Sequence, residues 1–194
     1  MRLISWAVAL DLIGAAGARE VDVETLTVAA ALQCEHVSDN LSVYGSSRNN
    51  HLIGEAAGLL VAGVKFPFLA GAGRWAGLGR RTLEREIVAQ TTEGGVDREQ
   101  AFHYQAFVLD FAVAALAAGR ASGTPMSSRF AGRVRRMVEF LDAVAGPVGL
   151  PPSIGDEDGG RVLELSDEPG RYPVRAAAAA ACAVGAPVPE GART

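Results

Sequence analysis

The sequence predicts an all-α chain folded as stacked antiparallel helical hairpins. Three observations predict it. Ala-rich runs with apolar residues three and four apart recur along the chain, alternating β-branched segments are nearly absent, and most of the Gly-, Pro- and Ser-rich connections are short. With 49% hydrophobic and 21% charged residues, 194 residues suffice for one domain with a sizeable core. No fixed period recurs, which disfavours a regular helical repeat.

About seven helices follow in order. The first, 3–17, begins in "MRLISWAVALDLIGAAGARE", which imitates a secretory leader: one positive charge, an apolar run, then small residues. Asp11 interrupts that run, and Trp6, Leu10 and Ile13 fall at helical spacing, so an amphipathic helix is the better reading. Further helices are expected at 22–40, 50–64, 74–91, 100–120, 127–145 and 173–184, each bounded by turn residues. Two connections are longer and polar, "TTEGGVDREQ" (91–100) and "GLPPSIGDEDGGRVLELSDEPGRYP" (149–173). Long ordered loops tend to carry function, and "RVLEL" within the second has the composition of one short strand.

Charge and composition exclude several classes. A net charge of −4 with a single lysine, Lys65, offers no broad basic surface, so no nucleic-acid partner is expected. No uninterrupted apolar run reaches the roughly 20 residues of a membrane span, and the protein is read as soluble, with bacterial cytoplasm and periplasm both open. Cys34 and Cys182 match no metal-ligand spacing and read as two thiols within helices, a disulfide between them staying open. His36, His51 and His103 likewise show no metal-binding spacing, and no cofactor is expected for this segment. Neither a nucleophile motif nor a glycine-rich phosphate loop is present.

Two polar clusters stand out. In "SSRNNHLIGEAAGL" (46–59), Arg48, Asn49, Asn50 and His51 come together just before an apolar helix. Asn49 or Asn50 serves as an N-cap on the plain reading. His51 and Glu55 then share one face at i and i+4, which capping does not require, while Gly54 and Gly58 are spaced to admit a neighbouring helix. In "REQAFHYQAFVLDF" (98–111), Tyr104 shares a stripe with Phe107, Val108 and Phe111 and reads as a core tyrosine. Its company, Arg98, Glu99, Gln100, His103 and Gln105, reads as a site.

Taken with "PSIGDEDGGRVLEL" (152–165), the segments "NNHLIGEAAGL" and "EQAFHYQAFVLDF" resemble, in the same order, the helical domain of heparinase II/III family polysaccharide lyases. The resemblance implies an incomplete α/α toroid spanning 1–194 as one truncated domain, with the family's C-terminal β-sandwich absent as a partner. It implies β-elimination on an acidic, uronate-containing polysaccharide, for which heparin, heparan sulfate and alginate offer the same carboxylate. It assigns catalytic positions to Asn50, His51 and Tyr104, and makes Arg48, Asn49, Glu55, Arg98, Glu99, His103 and Gln105 candidate substrate contacts. Many relatives carry Tyr-His where this chain has Tyr104-Gln105. Donors at Asn50 and His51 suit the charge that builds on a uronate carboxylate, with Arg48 adding a charge-assisted contact. On the resemblance Tyr104 takes the C5 proton, donates one to the leaving oxygen, or does both; as a base, with an ordinary pKa of about 10, it needs a nearby cation, for which His103, Arg98 and a residue of the absent domain are the candidates. Two other functions stay open: a non-catalytic saccharide-binding fragment, and an α/α-barrel hydrolase using Glu55 with Glu99 or Asp156.

Overall fold

The computed structural model describes residues 1–17, 22–163 and 169–192. Seven α-helices lie within them: α1 (Arg2–Gly17), α2 (Val23–Asp39), α3 (Asn50–Lys65), α4 (Ala72–Ala89), α5 (Phe102–Ala121), α6 (Ser128–Ala145) and α7 (Tyr172–Val184). Their starts are set locally. Asp22, Asn49 and Ser127 each turn a side-chain oxygen onto a free amide of the first turn of α2, α3 and α6, supplying the acceptor those amides lack within the helix. The N-terminal segment is helical as expected, with a break at Gly14, whose φ of 59° lies outside the helical range.

Alternate helices form two layers. The odd-numbered helices pack in series, α1 on α3, α3 on α5 and α5 on α7, while α2, α4 and α6 pack in series outside them. Hairpin contacts such as α3 with α4 and α6 with α7 join the layers. This is the arrangement of an α/α toroid, and it is open: no substantial contact joins α1 to α7 among the described residues. Burial follows the layering. Inner helix α5 has apolar side chains on all sides, and 78% of its most apolar stretch is buried, so a composition that matches a membrane span is spent on the core. Outer helices α4 and α6 bury one stripe each, Trp75, Leu83 and Ile87 on α4, and Phe130, Val134, Met137 and Leu141 on α6.

The main core gathers Ile53, Leu60, Leu83, Leu109, Phe130 and Leu141, and a smaller one gathers Leu3, Cys34, Leu59, Phe66 and Trp75. At roughly 25 cal/mol per Å² of buried apolar surface, these clusters hold the layers together. Both cysteines are free.

Two loops cross the end where α3 and α5 begin. In the α4–α5 loop, Thr91 and Asp97 form an isolated antiparallel bridge. Gln105, 2% exposed, donates to the carbonyls of Gly95 and Met137 and accepts from the amide of Asp97 at 2.7 Å. The α6–α7 loop is pinned by Asp110, whose Oδ2 accepts from the amides of Val162 and Leu163 and from the Tyr172 hydroxyl. The short strand expected at "RVLEL" does not form over 161–163, where the amides of Val162 and Leu163 bond to Asp110 rather than to a neighbouring strand; the rest of that segment lies outside the described residues.

Candidate active-site cleft

The first polar cluster separates cleanly into a cap and a cleft residue. Asn49 is the N-cap, its Oδ1 accepting from the amide of His51 at 3.0 Å. Asn50 is therefore released from capping. It is buried and lines a cleft of about 400 Å³ together with His51, Gly54 and Glu55 of α3, Phe107 and Phe111 of α5, and Asp158 and Gly160 of the α6–α7 loop. Glu55 also anchors the segment before α3, accepting from the amide and hydroxyl of Ser42 at 2.7 and 2.6 Å.

A second cleft of about 420 Å³ opens at the same helix start, lined by Arg48, Asn49, Glu86, Gln90, Asp97, Arg98 and Glu99. Arg48 is committed here. Its Nε and Nη2 grip the Glu86 carboxylate at 3.0 and 3.1 Å, and Arg85 and Gln90 donate to the same group. Burial of Glu86 would raise its pKa, but these bonds outweigh the desolvation and hold it below the ordinary carboxylate range. Arg98 is exposed.

Glu99 joins the two clefts. Its carboxylate accepts from the backbone amide of Asn50 at 2.9 Å and from Asn50 Nδ2 at 3.0 Å on each oxygen. Asp97 Oδ1 in turn accepts from the amide of Glu99 at 2.8 Å, while Asp97 Oδ2 is buried without a hydrogen-bond partner. Burial pushes the Asp97 carboxyl up to about 6, the Glu99 amide opposing and the Glu99 charge adding to the rise.

Tyr104 lies half-buried on the first turn of α5 and does not line the first cleft. Desolvation, then the charges of Asp158, Asp156 and Glu99, raise its phenol above the ordinary tyrosine range. Among the described residues it is carboxylates, not a cation, that shift Tyr104, because the α6–α7 loop folds back onto the start of α5. The hydrogen bond from Phe102 N to Ile154 O, at 3.1 Å, holds it there. His103 is occupied: Nε2 donates to Gly160 O at 2.7 Å, Nδ1 faces Glu157 at 3.7 Å, and its ring meets Tyr104 edge-on at 6.3 Å. Gln105 is buried in the loop anchor described above.

The candidate residues thus divide by place. Asn50, His51 and Glu55 line one cleft, Arg48, Asn49, Arg98 and Glu99 the other, His103 packs under the α6–α7 loop, and Tyr104 stands beside Glu99 and Asp158. Asp158 is a cleft residue that sequence reasoning missed, as are Arg2 of α1 and Gln33 of α2 on the same cleft. The run "DED" within a glycine-rich loop marks three acids, but only the folded loop decides which one turns into the cleft. Among the described residues no group of three or more His, Cys, Asp or Glu side chains is arranged to hold a metal.

An open arc of inner and outer helices with polar side chains at the inner helix starts defines the class as a toroid-type helical domain. Residues 17–163 match the family described as heparinase II/III N-terminus, and the chain belongs to that family. Two solved structures share the fold. A crystal structure of heparinase III aligns with a TM-score of 0.60 at 24% identity, covering 66% of this chain and 19% of that one. A heparinase III gene product with methylated lysines aligns with a TM-score of 0.60 at 24% identity, covering 78% and 23%. The chain spans about a fifth of the length of these proteins. No curated protein matches it in sequence.

Proposed function

We propose that this chain is the helical part of a lyase that cleaves an acidic, uronate-containing polysaccharide by β-elimination. The observation that carries the reading is the placement of Asn50: Asn49 takes the cap, and Asn50, at the start of an inner helix, lines the cleft, in a chain of the heparinase II/III family.

The proton at C5 of the uronate is weakly acidic while its carboxylate is charged, and donors aimed at that carboxylate stabilise the charge that develops as the C5–H bond breaks. Asn50 and His51 are the donors on this side of the cleft. The C5 electron pair forms the C4–C5 double bond, the C4–O bond breaks, and the leaving oxygen takes a proton. Tyr104, with its pKa raised, stays protonated through neutral pH and suits that donation better than proton abstraction. The base is then assigned to a residue of the β-sandwich domain that the family resemblance implies. A hydrolase using Glu55 and Glu99 is less favoured, because Ser42 and Asn50 already occupy those carboxylates.

The test is Asn50→Ala and Tyr104→Phe in the intact protein, assayed on a panel of uronate polymers by the ultraviolet absorbance of the unsaturated product. Each should lower turnover by about 10²-fold or more with the helical circular dichroism unchanged. Wild-type turnover in either variant removes that residue's role, and a saturated product removes the lyase reading.

A further inference from the structure

Glu99 touches Asn50 in a way that a substrate contact does not require. One carboxylate accepts from both the backbone and the side-chain nitrogen of the same residue, at 2.9 to 3.0 Å. The two residues face different spaces, Asn50 the first cleft and Glu99 the second, so Glu99 holds Asn50 from outside the cleft that Asn50 lines.

The amide of an asparagine has two ends of nearly equal shape, and without a discriminating partner it turns over at little cost. A carboxylate only accepts. It therefore selects the orientation in which Nδ2, and not Oδ1, faces Glu99. Nδ2 lies 3.0 Å from both Glu99 oxygens, which sit together on one side of it, while its two N–H bonds diverge widely; one N–H is shared between the two oxygens and the second points away from Glu99. Glu99 is itself held. Its amide donates to Asp97 Oδ1, the amide of Asp97 donates to Gln105, and Gln105 is locked into the Gly95 and Met137 backbone. The next residue, Gln100, takes a φ of 59°, a conformation that L-residues with side chains rarely adopt, and this turn carries the chain from Glu99 into α5.

We propose that Glu99 is a positioning residue: through Asn50 N and Nδ2 it fixes the flip of the Asn50 amide, so that the remaining N–H is presented to the carboxylate of a uronate substrate. The proposal rests on the lyase reading. It replaces direct substrate contact as the role of Glu99, and the α4–α5 loop from Gln105 to Glu99 becomes the frame that sets the geometry of a donor on α3.

The test is Glu99→Gln in the intact protein. Glutamine keeps the size and one acceptor, but its own amide permits either flip of Asn50. Turnover should fall about 10- to 100-fold with KM changed less than about threefold, because a transition-state contact is lost rather than uniform binding. In an Asn50→Ala background the same change should cost nothing more. The side-chain amide proton pair of Asn50, identified by its loss in Asn50→Ala, should shift in Glu99→Gln without substrate present. Unchanged kcat, a lowered KM (Glu99 as a competing internal carboxylate), additive loss with Asn50→Ala, or an unmoved amide pair each overturns the proposal. If Asn50→Ala alone retains wild-type turnover, the lyase role of Asn50 fails and the catalytic positioning falls with it, while the amide pair still reports whether the contact sets the flip. Should Glu99→Gln fail to fold, Glu99→Asp keeps the charge but withdraws it from Nδ2, and the same three readouts apply.

Discussion

The backbone of α4 at Gly79 lies directly on the backbone of α3 at Ala56: a Cβ at Gly79 would sit 2.4 Å from the Ala56 carbonyl oxygen and 2.7 Å from the Leu60 amide. Neither atom is the end of a flexible side chain, so relief requires the two helices to separate. Gly79→Ala should cost about 2–3 kcal/mol and lower Tm by about 5–10 °C. Gly58 on α3 is the internal control. A Cβ there meets Leu3 Cδ1 at 3.6 Å, ordinary contact, and Gly58→Ala should gain about 0.5–1 kcal/mol from helix propensity. Thermal denaturation of both variants decides it, and equal effects would mean that α3 and α4 do not pack as described.

Asp97 should make stability fall as pH rises. Its folded-state pKa of about 6 lies above the ordinary carboxylate value, so between roughly pH 4 and 6 the native state binds more protons than the unfolded chain, and the cost persists above pH 6. Asp97→Asn keeps an acceptor for the Glu99 amide and removes the buried charge whose second oxygen has no partner. At pH 7 the variant should be more stable than wild type by on the order of 1–3 kcal/mol, and the difference should shrink towards pH 4. Denaturant titrations at the two pH values measure it; a variant less stable than wild type at pH 7 would show that Asp97 ionises at no cost.

The helices were legible because their signals are local. Apolar spacing and the caps at Asp22, Asn49 and Ser127 act within a few residues, and the seven expected helices match the observed ones to within about two residues at most boundaries. The layering was only partly legible: short connections pointed to hairpins of successive helices, yet α5 packs more extensively on α7 than on α6. That follows from the all-round apolar surface of α5, which no hairpin partner alone can cover. At the site, sequence reasoning singled out Asn50 and Glu99 separately. It had no access to the bond between them, 49 positions apart, nor to the commitment of Arg48 to Glu86 across 38. Gly54 and Gly58, equivalent on paper, also diverge: a Cβ at Gly54 meets the Phe111 ring at 2.6 Å, whereas Gly58 has room.

The two cysteines should differ sharply in reactivity. Cys34 is fully buried, and burial together with the charge of Glu35 pushes its thiol up to about 11, whereas Cys182 is exposed. Since the thiolate is the reactive form, an aromatic disulfide reagent should modify one thiol rapidly in the native protein and the second only after denaturation. Cys182→Ser should abolish the rapid phase. Two rapid equivalents would mean that α2 does not cover Cys34, and none without reductant would indicate a disulfide.

Tyr104 and Asp158 give the most direct electrostatic test of the cleft. Three tyrosines have distinct surroundings: Tyr44 is 85% exposed, Tyr104 feels Asp158, Asp156 and Glu99, and Tyr172 is buried against Asp110, which drives its pKa far upward. An alkaline titration followed by tyrosinate absorbance should therefore show Tyr104 ionising above the ordinary tyrosine range and Tyr172 only as the fold is lost; Tyr104→Phe identifies the Tyr104 step. Asp158→Asn removes one negative charge and keeps the oxygen that accepts from Gly160 N. With less repulsion the phenolate is easier to form, so the midpoint of Tyr104 should fall. The effect should shrink as salt is raised, because the group is partly solvated and screening acts over about 10 Å at 0.1 M ionic strength. A midpoint that does not move, at low salt, would place the Asp158 carboxylate away from Tyr104 and detach the α6–α7 loop from the site. A midpoint that moves would tie the loop's acid to the proton held on Tyr104, the proton that the proposed elimination delivers to the leaving oxygen.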